Sequence, residues 1–291
     1  MVSDPVCVSV VMPVRNGAGL LDAQLASLAA QNYPGKWELV VVDNGSTDGT
    51  VRVAEQWRGR VPGLRVHLAP EARGANHARN AGCRAAGGGR FAFCDHDDVA
   101  DPGWLAALMR GLDTYPVVGG FLERESLNDA AAVASRPQLD RLHDGGFGFL
   151  PYPLAANCAM RREVWATLGG FDGAFEYGSD DVEFFWRAQL AGLALGYAPD
   201  AVMHYRLRPD LTRMARQYYD YGRSHPKLYR AFRGAGMPRT GLRAGGRVWL
   251  GLAGQLPALA GSRRSRAVWL TRAAMRWGRI VGSARHRVVY L

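Results

Sequence analysis

Three carboxylates lie within four residues, directly after an apolar run in the first third of the chain. Residues 91–94 predict a buried strand, and Asp95, Asp97 and Asp98 follow it. Like charges this close raise one another's pKa unless a positive group lies between them. Oxygen ligands on a loop suit a hard divalent cation such as Mg²⁺ or Mn²⁺, which keeps coordination positions open for phosphate oxygens. The cluster indicates a metal site, with a solvated acidic turn as the alternative.

A second acidic residue closes another predicted strand. Residues 38–43 form an apolar run that ends on Asp43, which makes Asp43 the counterpart of Asp95. The sequence Asp101-Pro102 predicts the start of a helix, with aspartate at the N-cap and proline at the first helical position. Open α/β sheets bind ligands at the carboxyl ends of their strands, so both acidic residues are expected on one rim.

Strand and helix patterns alternate through the first third of the chain. Apolar runs predict buried strands at residues 6–12, 38–43, 64–68 and 91–94. Helical spacing or turn signals predict intervening helices at residues 20–28, 51–57 and 74–86. This alternation favours a parallel sheet with right-handed crossovers. No G-x-G-x-x-G follows the first strand and no P-loop motif is present, which disfavours a dinucleotide site and a P-loop NTPase.

Weaker patterns follow residue 103. They predict a helix at 104–112, a strand at 117–122, a strand running into a helix at 157–165, and a short last strand at 201–205. A further helix begins near residue 180, with Ser179 or Asp180 as its N-cap. We assign Asp98 a capping or turn role.

Several separated motifs resemble family 2 glycosyltransferases of the GT-A fold. They are residues 10–16, 42–50 and 74–82, the D-x-D-like Asp95-His96-Asp97, and an acceptor-side motif at 169–172 and 177–184. The resemblance covers residues 6–205 in the expected order. It implies an α/β fold of the GT-A type, Rossmann-like, with a mostly parallel central sheet flanked by helices. Residues 1–98 would form the nucleotide-binding half and residues 99–205 the acceptor half.

The resemblance assigns donor-binding roles at the rim. Asp43 would hydrogen-bond the nucleotide base, and Pro13 and Arg15 would line the same pocket. Asp95 would contact the ribose and share a divalent metal ion, Mn²⁺ or Mg²⁺, with Asp97, which would contact the ion bridging the diphosphate. Position 15 is often aromatic in the family, so arginine here exchanges stacking for a charge near the nucleotide.

The resemblance also assigns the catalytic side. Asp181 would be the catalytic base, and His204 would be a further metal ligand, with a purely structural histidine as the alternative. Asp180 would bind the acceptor, in a position where the family usually has glutamate. One methylene fewer alters the reach of that carboxylate toward the acceptor.

The net charge of +10 conceals two regions of opposite sign. Residues 1–205 carry 17 Lys/Arg and 24 Asp/Glu, a net charge of −7, whereas residues 206–291 carry 19 and 2, a net charge of +17. An acidic body with a basic helical region at residues 206–291 indicates two functional parts. Basic regions of this kind bind either nucleic acid or an anionic membrane.

The basic region contains one strongly amphipathic segment at residues 263–282. At 100° per residue its apolar arc holds Leu270, Ala273, Ala274, Trp277, Ile280 and Val281, and the opposite arc holds Arg272, Arg276 and Arg279. Such a helix lies in a membrane interface, and packing on the acidic body is the alternative. The apolar run at residues 248–261 is too short to span a bilayer. No nucleic-acid-binding module is recognised, so we expect no nucleic-acid partner.

Together these features predict an inverting, metal-dependent enzyme. It would move a sugar from a nucleotide-diphosphate sugar to a hydroxyl of a lipid-linked or cell-envelope glycan. The alternatives are a soluble transferase that decorates a small-molecule natural product, and a non-catalytic module that binds a sugar nucleotide or carbohydrate. Four cysteines without paired spacing and an N-terminus without a signal-peptide pattern predict a cytoplasmic location, with the basic region on the inner face of the membrane.

Overall fold

The computed structural model of the protein describes residues 7–136, 138–175, 178–208 and 210–291. Within them the strands are β1 (Val8–Val14), β2 (Trp37–Asp43), β3 (Arg65–Leu68), β4 (Arg90–Cys94), β5 (Val99–Ala100), β6 (Val117–Glu123), β7 (Asn157–Arg161) and β8 (Leu195–His204). The α-helices are α1 (Leu21–Ala29), α2 (Thr50–Glu55), α3 (Ala75–Ala85), α4 (Trp104–Thr114), α5 (Ala130–Ser135), α6 (Arg162–Thr167), α7 (Asp180–Leu190), α8 (Leu211–Phe232), α9 (Leu242–Gly254) and α10 (Arg263–His286). Short 3₁₀ turns follow α8 and α9, at Arg233–Ala235 and Leu256–Ala260.

The strands form one sheet in the order β3-β2-β1-β4-β7-β6-β8-β5. Its central strands are buried on both faces, which explains why their sequences are continuously apolar. Successive residues contribute to two separate cores: Val10 and Met12 pack with α1 and α4, whereas Val11 packs with α3 and α7. Helices therefore form a layer on each side of the sheet, which confirms the α/β class.

The direction of β7 decides which strand ends share a rim. β7 runs antiparallel to both of its neighbours, β4 and β6, so β4 and β6 run parallel to each other. The remaining pairs β1–β2, β1–β4, β2–β3 and β6–β8 are parallel, and β5–β8 is antiparallel. Residues that follow β1, β2, β4, β6 and β8 consequently meet at one edge of the sheet.

Two predicted boundaries are wrong. Helix α4 begins at Trp104, as predicted for residues 104–112, but its N-cap residue is Gly103 and not Asp101. The Asp101 N–H donates to the carbonyl oxygen of Val202 (3.1 Å), which holds Asp101 at the sheet. The last strand begins at Leu195 rather than at residue 201. It pairs with β6 in two stretches on either side of an irregularity after Gly120, which absorbs the Pro199-Asp200 interruption that resembled a strand break.

The C-terminal helices pack on the body. Leu228 and Phe232 of α8 lie in the same buried cluster as Phe184 and Phe185 of α7, and Tyr290 near the C-terminus joins them. The described helices include none long and apolar enough to cross a membrane. The domain boundary at residue 205 stays a prediction, but α8 contributes directly to the core on which α7 packs.

Helices α8 and α10 approach closely through glycine. A Cβ atom added to Gly222 would overlap the carbonyl oxygen of Met275, and one added to Gly278 would overlap that of Tyr219. This contact determines which face of α10 is buried against α8. Arg279, predicted on the exposed polar arc, is instead buried and donates from Nε to His225 Nδ1 at 3.1 Å, whereas Trp277 is 56% exposed.

We expect Gly278→Ala to destabilise the protein. Overlap with the backbone of α8 should cost ~1–3 kcal/mol, more than alanine gains in a helix interior. Urea unfolding followed by circular dichroism measures the change. Gly251→Ala in α9, where an added Cβ meets nothing within 4 Å, is the matched control and should stabilise by ~0.5–1 kcal/mol. Equal effects of the two variants would contradict the close approach.

Candidate active site

The acidic loop after β4 gathers three carboxylates. One oxygen each from Asp95, Asp97 and Asp98 lies within 4.8 Å of the others. Asp98, predicted as a capping or turn residue, is 1% exposed and belongs to this cluster. Its Oδ1 accepts from the Arg206 N–H (2.8 Å), and its Oδ2 is buried without a hydrogen-bond partner among the described residues. Burial, followed by the charges of Asp95 and Asp97, raises the pKa of Asp98.

These three residues fit a divalent cation. A buried carboxylate oxygen without a partner is unfavourable unless a proton or a metal ion compensates it. All three donors are hard oxygens on a loop, the type that Mg²⁺ and Mn²⁺ prefer. Three arginines lie beside the cluster. Arg208 Nη1 contacts Asp97 Oδ2 at 2.7 Å, Arg206 Nε donates to the Asp97 carbonyl oxygen at 2.9 Å, and Arg79 Nη2 donates to Asp95 Oδ1 at 3.1 Å.

The structure places His204 beside the cluster but not within that 4.8 Å group. It ends β8, opposite Val99, and its Nδ1 lies 2.7 Å from Oε2 of Glu123. A carboxylate on one imidazole nitrogen is the arrangement that orients metal-binding histidines and leaves the other nitrogen for the metal. Its role as a metal ligand stays a prediction.

One buried arginine joins the two halves of the site. Arg79, 5% exposed on α3, donates from Nη2 to Asp95 Oδ1 (3.1 Å) and from Nη1 to Asp180 Oδ2 (2.7 Å). Asp180, predicted to bind the acceptor, therefore has an internal partner. Asp180 and Asp95, which are distant in sequence, are held together by a single planar guanidinium group.

The same helix face fixes the acceptor-side motif. Asn76 Nδ2 donates to the carbonyl oxygens of Asp172 (2.9 Å) and Phe175 (3.2 Å). Asn80 Nδ2 donates to the Phe171 carbonyl oxygen (2.8 Å), and its Oδ1 accepts from the Phe171 N–H (2.9 Å). The motif at residues 74–82 thus positions residues 171–175, which lead toward α7.

The predicted nucleotide residues share the adjacent rim. β1 and β2 pair in parallel register so that Pro13 lies opposite Val42, and Asp43 ends β2. Asp43 is 5% exposed. Its Oδ2 accepts from the Ser46 N–H (3.1 Å), while its Oδ1 is buried without a hydrogen-bond partner among the described residues. Pro13 is buried and Arg15 is exposed beside it.

Two asparagines hold the loops around Asp43. Asn16 Oδ1 accepts from the Thr47 N–H (2.8 Å), which ties the loop after β1 to the loop after β2. Asn44 donates from Nδ2 to the carbonyl oxygen of Ala69 (2.7 Å) and accepts at Oδ1 from the Gly74 N–H (2.9 Å). These bonds fix the loops on both sides of Asp43, and its role in binding the nucleotide base stays a prediction.

Asp181 lies in the first turn of α7. Its Oδ1 accepts from the Val182 N–H (2.8 Å) and its Oδ2 from the Ala155 N–H (3.4 Å). Burial, followed by the charge of Asp180, raises the pKa of Asp181 to about 7. Ser179 occupies the N-cap position as predicted, but its hydroxyl contacts the Ser224 hydroxyl (2.6 Å) instead of capping the helix, because α8 packs against this turn.

A cavity of about 580 Å³ reaches some of these groups but is not lined by Pro13, Arg15, Asp43, Asp97 or His204. Asp95, Asp180 and Asp181 line one part of it. The lining also includes charged and aromatic side chains that sequence reasoning missed: Arg124, Arg136, His143, Tyr205, Tyr218 and Tyr221. Tyr177 of the acceptor-side motif lies outside the described residues. The one signal for Arg124 in the sequence was its position directly after a strand.

Replacing Arg79 with methionine should destabilise the protein strongly. Removing one partner of a buried ion pair leaves carboxylates uncompensated, at a cost of ~3–5 kcal/mol. Urea unfolding at pH 7, followed by tryptophan fluorescence, measures the loss. Arg110→Met is the control, because the Arg110–Asp200 pair is exposed and 3.8 Å long, so its loss should cost less than ~0.5 kcal/mol. A loss in Arg79→Met as small as the loss in the control would show that the bridge is not stabilising.

The amino-acid sequence of the chain is similar to those of known proteins. The sequence profile of glycosyl transferase family 2 matches residues 9–168. The chain is 31% identical over 209 residues to the glycosyltransferase AglE of Haloferax volcanii, covering 69% of this chain and 67% of AglE. It is 26% identical over 231 residues to the succinoglycan biosynthesis protein ExoA of Rhizobium meliloti, covering 76% of this chain and 69% of ExoA.

A solved structure shares the fold. The mannosyltransferase PcManGT of Pyrobaculum calidifontis, in complex with GDP-Man and Mn²⁺, superposes with a TM-score of 0.64 at 22% identity. The alignment covers 98% of this chain and 88% of PcManGT. The expected GT-A fold is thereby confirmed. Since the family profile covers more than half of the sequence and AglE exceeds 30% identity, this chain belongs to glycosyl transferase family 2.

Proposed function

We propose that the chain is an inverting, metal-dependent glycosyltransferase. It moves a sugar from a nucleoside-diphosphate sugar to a hydroxyl group of a lipid-linked or cell-envelope glycan. The observation that carries this proposal is the single cavity lined by both Asp95 of the acidic loop and Asp181 of α7. A donor bound at the acidic loop and an acceptor held at Asp181 would meet in that cavity, which supplies the proximity that group transfer needs.

The donor would bind along the rim formed by β1, β2 and β4. The unpartnered Asp43 Oδ1 would accept a hydrogen bond from the nucleotide base, between Pro13 and Arg15. Asp95, Asp97 and His204 would hold Mn²⁺ or Mg²⁺, and Asp98 is added to this set by its buried free oxygen. The ion, when bound, would stabilise the negative charge of the departing diphosphate. The presence of GDP-Man and Mn²⁺ in PcManGT supports this assignment.

Asp181 would act as the general base. An acceptor hydroxyl becomes a competent nucleophile when a carboxylate takes its proton during attack. A pKa of about 7 leaves a substantial fraction of Asp181 deprotonated near neutral pH and makes it a stronger base than an exposed aspartate. Attack on the anomeric carbon from the side opposite the diphosphate inverts its configuration. Asp180, held by Arg79, would keep its second oxygen for the acceptor.

The C-terminal region would place the enzyme on the cytoplasmic face of a membrane. Residues 221–291 contain no aspartate or glutamate. Exposed large apolar side chains concentrate there, with Leu242, Leu250 and Leu256 at 69%, 75% and 52% exposure. Apolar side chains next to arginines are the chemistry that an anionic lipid surface binds. Assignment of ExoA to succinoglycan biosynthesis is consistent with a cell-envelope acceptor.

Asp181→Asn should abolish transfer while nucleotide binding persists. Loss of a general base lowers the rate by ~10²–10⁴-fold. In the wild type, kcat/KM should rise with pH and level off above about 7, since only the deprotonated carboxylate accepts the proton. Sugar release from radiolabelled nucleotide sugars, with Mn²⁺ or with EDTA, measures the rate of the variant and the pH dependence of the wild type. Asp200→Asn, which changes an exposed carboxylate (82% exposed), is the control. An unchanged rate in Asp181→Asn would remove Asp181 as the base.

Leu250→Ser combined with Leu256→Ser should release the protein from anionic vesicles. Burying a leucine side chain is worth ~1.5–3 kcal/mol, so losing even one should weaken binding at least tenfold. Co-sedimentation with phosphatidylglycerol vesicles measures binding, and neutral vesicles should retain less protein. Leu68→Ser, at a leucine of β3 that is 59% exposed, is the matched control. Retention of the double variant at the wild-type level would contradict membrane contact by this surface.

A further inference from the structure

A buried histidine of α8 lines the cavity that Asp181 lines. His225 is 6% exposed, and the proposed transfer chemistry does not use it. The residue before it brings α8 to the first turn of α7, because Ser224 Oγ lies 2.6 Å from Ser179 Oγ. The ring of Phe147, which also lines the cavity, contacts the His225 ring edge to face, with the ring centroids 4.7 Å apart. His225 is therefore held in the cavity wall near the proposed base.

A contact with α10 determines which nitrogen of His225 carries the proton. Arg279 Nε donates to His225 Nδ1 at 3.1 Å. Because a guanidinium nitrogen only donates, Nδ1 is the acceptor, and the proton of the neutral imidazole lies on Nε2. Burial, followed by the charges of Arg279 and Arg276, lowers the pKa of His225, so the ring is neutral near pH 7. His225 is therefore an uncharged hydrogen-bond donor at Nε2.

The cavity is the space that this donor reaches. His225 Nε2 has no hydrogen-bond partner among the described residues. It is also not sealed from solvent, unlike the unpartnered buried oxygens of Asp43 and Asp98. Arg279 and Phe147 enclose the rest of the ring, which leaves the cavity side for Nε2. A buried donor at a ligand cavity favours a ligand that supplies an acceptor oxygen there.

A tyrosine supplies a second polar group of the same kind. Tyr152 is 6% exposed, lines the cavity, and its ring centroid lies 6.2 Å from that of Phe147. Burial, followed by the charge of Asp181, raises the pKa of Tyr152, so its hydroxyl stays protonated. Within the described part of the chain, its Oη has no hydrogen-bond partner, and it is not sealed from solvent. The loop that carries Tyr152 also reaches the base, since the Ala155 N–H donates to Asp181 Oδ2 (3.4 Å).

The geometry points to a sugar subsite, formed by His225 Nε2–H and the Tyr152 hydroxyl beside the ring of Phe147, that binds the acceptor. This inference rests on the proposed function and names the acceptor class: an uncharged sugar that presents hydroxyl or ring oxygens to both groups. Aromatic walls with a few placed polar groups are typical of sites that orient a small ligand. A buried anion would need a positive charge beside it, which neither group supplies. The sugar would lie beside Asp181, which removes its proton.

The proton position on His225 is measured directly. In the full chain labelled with ¹⁵N-histidine, proton–nitrogen correlation spectra at pH 7 distinguish protonated from unprotonated ring nitrogens, and His225→Gln assigns the signals. We expect a proton on Nε2 and none on Nδ1. A charged ring, or a proton on Nδ1 alone, would remove the donor from the cavity and overturn the inference.

Sugar binding is tested with the full chain saturated with Mn²⁺ and with GDP or UDP, whichever binds more tightly. The methyl glycosides of glucose, galactose, mannose and N-acetylglucosamine are titrated while the His225 Nε2–H signal is recorded. At least one should shift this signal, and one of its monodeoxy analogues should bind at least tenfold more weakly, because it leaves a donor unpaired. No shift with any glycoside, or an equal shift with cyclohexanol, would overturn the inference. A shift with hexose 1-phosphates alone would identify an anion site and overturn it as well.

Variants identify the residues, with affinity measured from the NMR signals of the glycoside. Tyr152→Phe removes only the hydroxyl, so it should fold normally and bind at least tenfold more weakly. His225→Phe should lose binding to a similar extent. His225→Gln should retain part of it, because an amide can accept from Arg279 and donate to the ligand. His67→Gln, at a histidine of β3 outside the cavity, is the matched control. Circular dichroism verifies folding, and unchanged binding in Tyr152→Phe would overturn the inference.

Nucleotide affinity separates this inference from the proposed function. With Mn²⁺, the affinity for the nucleoside diphosphate should be the same in Tyr152→Phe and His225→Gln as in the wild type. A loss in both variants would assign the two residues to the donor and overturn the inference, while the proposed function would stand. A wild-type chain that bound no nucleotide would refute the proposed function, and the glycoside titration, run without nucleotide, would still test the sugar subsite.

Discussion

The candidate site depends on one buried guanidinium group. Arg79 contacts Asp95, which follows β4, and Asp180, which begins α7, and so joins the acidic loop to the first turn of α7. Without a cation between them, carboxylates in a buried pocket would take up protons or move apart. The helix that carries Arg79 also holds the acceptor-side loop through two asparagines, so a single face of α3 sets the relative position of both halves.

The sheet brings residues from distant parts of the chain to one edge. A strand inserted antiparallel, β7, keeps β4 and β6 parallel, and their following residues meet at one rim. Three carboxylates gather after β4, and Arg124, which follows β6, lines the same cavity as Asp95. Asp181 lines this cavity as well, and burial, followed by the charge of Asp180, raises its pKa.

The basic C-terminal region has two roles in the structure. Helix α8 completes the cavity with Tyr218, Tyr221 and His225, and its Leu228 enters the core. Small residues bring α10 close to α8, and this contact buries Arg279. The glycine face of α10 is used for packing, and its Trp277 remains exposed together with the leucines of α9. The predicted membrane surface therefore includes α9 as well as α10.

The sequence alone determined the alternation of strands and helices, the acidic residues at the ends of β2 and β4, and the family to which the chain belongs. These features depend on local periodicity and on short motifs, which need no knowledge of distant partners. The tertiary structure decided the rest. Arg79 and Asp180 are 101 residues apart, Asp98 joins the acidic cluster through burial, and Arg124 faces the cavity because of the direction of β7. The charge and hydrogen bonding of each such residue are set by neighbours that only folding brings together.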